Sequence, residues 1–172
     1  MSTSSDEAVL RDGRAVQLRA MRPSDEQELL QAFDRMSEVA RYMRFMRVVR
    51  EPDRLRLQAA LASLPESGVA LVATVPAADG YDIAGSAIAL IGGGPGVCEF
   101  AINVDAAYGG LGLGHLLMTR LMDAARQRGL RTMEGFVLKQ NASMLGLARR
   151  LGFEIDADAE DPSVLVCRKA LA

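Results

Sequence analysis

Polar and apolar residues alternate along Ala15–Ala20 (AVQLRA), the period-two signature of a half-buried strand. Pro23 follows, with Ser24 and Asp25 as cap candidates, and Leu29, Leu30 and Phe33 then recur at helical spacing, so 25–36 is predicted to be a helix. Residues 37–64 read as helix in two or more pieces, broken near Glu51-Pro52, with Leu55, Leu57, Leu61 and Leu64 as a buried stripe. The β-branched and Ala run at 69–75 predicts a central strand, and 81–91 a second one, hairpinned to it around 77–80.

The strand predicted at 97–105 is the most informative. Cys98, Phe100, Ile102 and Val104 form an apolar face, and Glu99, Ala101, Asn103 and Asp105 form the other. A helix is predicted over 112–128, with Leu113, Leu117, Leu121 and Ala124 inward and Gly129 as its stop. Strands at 131–138, 153–155 and 163–169 and a helix at 141–151 complete a mixed α/β pattern with a strand–helix–strand crossover.

Composition adds exclusions. The chain has 172 residues, 49% hydrophobic and 24% charged, with a net charge of −2. That predicts one domain at 13–172 behind a short disordered lead-in at 1–12. The charge balance argues against a nucleic-acid binder. No apolar run reaches membrane-spanning length, and the N-terminus lacks the pattern of a signal peptide. Cys98 and Cys167, with a single His, do not make a common structural zinc site, and no metal is expected. Both read as reduced core thiols of a cytoplasmic protein.

Chemistry concentrates at Gly109-Gly110-Leu111-Gly112-Leu113-Gly114, between a strand and a helix. Glycines let a ligand approach the backbone, and a helix N-terminus offers free N–H groups and positive dipole to a pyrophosphate. A tight connection would use the same residues. A Walker A loop is excluded, because His115 and Leu116 stand where Lys and Ser/Thr are needed. The dinucleotide fingerprint fits poorly, because the turn lies in the C-terminal half and not after a first strand.

The run from Glu99 to Phe153 resembles the core of the GNAT acetyltransferase superfamily. Gly112 and Gly114 match the glycines of its acetyl-CoA motif, although Gly109 stands where the family carries Arg or Gln. Asn141 and Leu151-Gly152-Phe153 resemble a second signature. Cys98-Glu99-Phe100-Ala101-Ile102, the glycine turn and Leu147-Ala148-Arg149-Arg150-Leu151-Gly152-Phe153 are similar to the acetyltransferase domain of bacterial protein lysine acetyltransferases. Residues 18–25 and Arg41-Tyr42-Met43-Arg44-Phe45 extend that likeness. The resemblance implies a mixed, mostly antiparallel sheet of six to seven strands with about four helices. A splayed strand pair in that sheet would hold acetyl-CoA.

It also implies roles. Acetyl-CoA would be held by Ile102, Asn103, Val104, Gly109, Gly110, Leu111, Gly112, Leu113, Gly114, His115 and Asn141, its pyrophosphate resting mainly on backbone amides. Glu99 would be the general base, often through water, with Glu134 the second candidate. Ala148 stands where many relatives carry a Tyr that protonates the departing thiolate, a side chain the protein-lysine branch often lacks. The six arginines at 41, 44, 47, 50, 54 and 56 read as a solvated helix face, or else as a docking surface for an acidic partner or the CoA 3′-phosphate. The function implied is acetyl transfer to a protein lysine, for instance of an acyl-CoA synthetase, by a monomer or homodimer. A small-amine acetyltransferase and a non-catalytic acetyl-CoA-binding module are the alternatives.

Overall fold

The computed structural model describes residues 5–171. In chain order they form β1 (Asp6–Val9), β2 (Ala15–Ala20), a 3-10 turn (Pro23–Asp25), α1 (Glu26–Arg35), α2 (Glu38–Phe45), α3 (Arg54–Ser63), β3 (Gly68–Ala77), β4 (Gly80–Ile91) and β5 (Val97–Val104). A second 3-10 turn (Ala106–Tyr108) leads to α4 (Leu113–Gln127), β6 (Thr132–Leu138), α5 (Ala142–Arg150), β7 (Glu154–Ala157) and β8 (Val164–Ala170). One sheet holds all eight strands, in the order β1-β2-β3-β4-β5-β6-β8-β7. Only β5 and β6 pair in parallel, joined by the α4 crossover.

The sheet exceeds the six to seven strands implied by the sequence because Asp6–Val9, within the segment assigned to a disordered lead-in, pairs with β2 as an edge strand. The first four residues of that segment lie outside the described residues. A second correction concerns α3. Leu61 is buried, but Leu55 is 79% exposed. Positions 57, 61 and 64 share a helix face, whereas 55 lies about 200° from 57.

Consecutive β3 residues serve opposite faces. Ala73 joins the main core with α4 and α5, while Val72 packs with Ala32 of α1 and Ile83. α4 lies across β3, β4 and β5. It buries Leu113, Leu117, Met118, Leu121, Met122 and Ala125, so the stripe ends on Ala125 where the sequence suggested Ala124. Gly85 makes this packing close: a Cβ there would stand 2.9 Å from Leu117. Between Arg19 and Asp25 a buried ion pair of 2.7 Å ties β2 to the start of α1, and Tyr81 also donates to the Asp25 carboxylate.

Candidate active site

The site begins where two strands part. β5 stays paired with β4 from Cys98 to Val104, and β6 with β8 from Thr132 to Leu138. β5 and β6 share only three rungs, Val97 with Thr132, Cys98 with Met133 and Glu99 with Glu134. Beyond them each strand has an open edge, whose backbone donors and acceptors need a partner. Phe100 caps the paired end. Its ring lies over Gly135, where a Cβ would come within 2.4 Å, and it meets Phe153 edge-on at 5.4 Å between centroids.

The gap is a cleft of about 730 Å³. Its walls are the free part of β5, the end of β6 and one face of α5, and its end is the glycine turn. Gly110 and Gly112 have φ of +72° and +89°, which favour glycine. Gly112 opens α4 with no side-chain cap. Among the described residues, no protein acceptor meets the N–H groups of Gly110, Leu111, Gly112, Leu113, Gly114 and His115. Gly114 lets the helix approach Val104, Ile102 and Leu147, so α4, β5 and α5 converge there.

The turn is held from outside. Asp105 accepts from the Ala107 N–H and pairs with Arg35 of α1 at 2.7 Å. From the β1–β2 connection, Arg14 donates to the Ala107 carbonyl at 2.8 Å and lies 4.1 Å over the Tyr108 ring. Arg11 donates its backbone N–H to the Leu111 carbonyl at 3.3 Å.

Ten of the residues singled out in the sequence line this cleft: Ile102, Asn103, Val104, Gly109, Gly110, Gly112, Leu113, Gly114, His115 and Asn141. Asn141 has a structural duty as well, since its side chain accepts from the Met144 N–H and caps α5. Leu111 turns its side chain to the core and offers the cleft side only its backbone. Glu99 does not line the cleft; it is exposed at the rim, on the last shared rung. Glu134 stands beside it and is paired with Arg168 at 3.1 Å. Arg11, which the sequence does not single out, and Arg44, one of the six arginines read as a solvated face or a docking surface, also line the cleft. Arg11 reaches the turn across 99 positions, and no local spacing marks it. Burial lowers the pKa of the Arg44 guanidinium, against which the nearby Glu99 carboxylate acts.

Two thiols are set aside by the geometry. Burial pushes Cys98 up to about 11, with the Glu134 charge adding to it, and burial also raises Cys167. A thiol in that state is not a nucleophile at neutral pH. Ala148 is fully buried and carries no proton to give. Among the described residues no helix is long and apolar enough to cross a membrane.

An open strand edge running into unpaired amides suits a long ligand with amide groups along its arm and a pyrophosphate at its end, and CoA has this form. The comparisons agree. The profile of the acetyltransferase (GNAT) family matches residues 30–153. An acetyltransferase of Pseudomonas aeruginosa is 31% identical over 162 residues, 94% of this chain and 87% of its own. The GNAT domain of S. lividans PAT superposes with a TM-score of 0.87 at 21% identity, covering 96% of both chains. The Salmonella typhimurium protein yncA, solved with acetyl-CoA, gives 0.71 at 21% identity over 92% of this chain and 95% of its own. The chain belongs to the GNAT acetyltransferase family and is an acetyltransferase that draws its acetyl group from acetyl-CoA.

Proposed function

We propose that the acceptor is a lysine on the surface of another protein, such as an acyl-CoA synthetase or another metabolic enzyme, and that Glu99 is the general base. One observation carries this reading: Glu99 stands exposed on the last rung before β5 and β6 part. A base at an open rim can be reached by the tip of a long side chain, whereas a small amine gains little binding there. The likeness of 98–102 and 147–153 to protein lysine acetyltransferases supports the same choice.

A lysine with a pKa near 10.4 is almost wholly protonated at neutral pH, so the proton must leave before attack. Glu99 takes it, directly or through one water. The neutral amine attacks the thioester carbonyl, the amide bond forms and the carbon–sulfur bond breaks. Free backbone N–H groups of β5 beyond Phe100 hold the developing oxyanion, and water protonates the departing thiolate. The protonated buried thiols leave direct transfer as the route, without an acyl-cysteine. Their reduced state suits the cytoplasm.

The test supplies acetyl-CoA with an acyl-CoA synthetase, other metabolic enzymes, free lysine and small amines in parallel. Mass spectrometry then reads the products. Acetyl-lysine on a folded protein, formed faster than any acetylated small amine, is the expected result. Acetylation of small amines alone, or of nothing, overturns the reading.

A further inference from the structure

The glycine turn carries no charge of its own. Gly109 to Gly114 offer amides and two leucines, while the ligand brings a doubly charged pyrophosphate. A helix N-terminus contributes only about half a positive charge. The Arg11 guanidinium meets the turn from 99 positions away along the chain.

We propose that Arg11, on the β1–β2 connection, is the side-chain clamp of the acetyl-CoA pyrophosphate. The inference rests on the acetyl-CoA assignment and is independent of the acceptor. Arg11 lines the cleft at its phosphate end. Its backbone is fixed to the turn through Leu111, and its Nη1 reaches the Gly110 carbonyl at 3.4 Å, a long bond that leaves most of the guanidinium uncommitted. A Cβ added to Gly112 would meet Nε at 3.6 Å and Cζ and Nη2 at 4.0 Å, so the guanidinium stands beside the residue that opens α4.

Its neighbour shows what a committed arginine looks like here. Arg14 is bound to Asp12 at 2.6 Å and to the Ala107 carbonyl, and it is stacked on Tyr108. Arg11 has no carboxylate partner among the described residues. An arginine held against unpaired amides, with no acid to neutralise it, is arranged for a phosphate, which its planar fork grips through two N–H groups.

The experiment compares Arg11→Gln, Arg11→Ala and Arg11→Lys with wild type. Dissociation constants are measured for acetyl-CoA, acetyl-3′-dephospho-CoA and S-acetyl-pantetheine. Glutamine keeps a polar N–H but loses the charge, the fork and some reach. It should weaken acetyl-CoA about 10- to 100-fold, with lysine recovering part of the loss. The same factor should appear with acetyl-3′-dephospho-CoA, which keeps the pyrophosphate, and should vanish with S-acetyl-pantetheine, which has none. The binding should also become less sensitive to salt. Unchanged acetyl-CoA binding in Arg11→Gln overturns the proposal. So does a loss confined to donors with the 3′-phosphate, or an equal loss with S-acetyl-pantetheine, the mark of a strut and not a clamp.

Discussion

Glu99 and Glu134 stand side by side on the last rung shared by β5 and β6, and among the described residues only Glu134 has a cation in salt-bridge contact, Arg168. Residues paired across a rung project to the same side of the sheet, so the two carboxylates differ in engagement and not in direction. The engaged one has its Oε2 occupied by the Arg168 guanidinium. Glu134→Gln is therefore expected to cost less than about tenfold in acetyl transfer, against the 10²- to 10⁴-fold typical of a lost general base for Glu99→Gln. Initial rates at saturating acetyl-CoA check the contrast, and equal losses would return Glu134 to candidacy.

At Gly112 the constraint is conformational. An added Cβ would find ordinary contact distances, but the residue sits at φ +89°. Gly112→Ala should cost about 1–2 kcal/mol of stability and weaken acetyl-CoA binding by distorting the turn. Chemical unfolding and calorimetric titration read the two effects separately.

Asp25 is fully buried. Burial pushes its carboxyl up. Arg19, Tyr81 and the Arg22 N–H more than offset that and hold it below the ordinary range. A carboxyl lowered in the folded state stabilises above its unfolded pKa, and that stability is lost as pH falls through the folded value. Asp25→Ala leaves Arg19 without its carboxylate and should cost about 3–5 kcal/mol at neutral pH. The deficit should shrink in acid, as measured by urea unfolding at several pH values.

Glu28 is the opposite case. Burial and the neighbouring Asp79 raise its pKa, and its Oε2 has no hydrogen-bond partner among the described residues. A raised carboxyl stabilises the fold below its unfolded pKa, and this is lost as pH rises through the folded value. Glu28→Gln should raise the melting temperature at neutral pH and not in acid. A lower melting temperature at neutral pH would show that the carboxylate has a partner.

Legibility followed distance along the chain. The stretch from Glu99 to His115 holds strand, turn and helix start in succession, so residue types and spacing mark the glycine turn, and the family resemblance supplies its ligand. Arg11 was not legible: it reaches Gly110 across 99 positions, and nothing in Leu10-Arg11-Asp12-Gly13 points there. The expectation that pyrophosphate rests mainly on main-chain amides is built from local residues alone. β1 escaped for another reason. Asp6–Val9 is a short edge strand, mostly exposed, with no alternation to betray it. In α3, four leucines suggested one stripe, but the helical period puts Leu55 on the far side.

The most direct measurement of the central claim is the rate of acetyl transfer from acetyl-CoA to a protein lysine as a function of pH, for wild type and Glu99→Gln, with acetyl-CoA affinity measured alongside. Glu99→Gln should bind acetyl-CoA like wild type, lose at least about a hundredfold in rate at neutral pH, and recover as pH approaches the lysine's own pKa near 10.4. A Glu99→Gln enzyme as fast as wild type at neutral pH would contradict the assignment of Glu99 as the base.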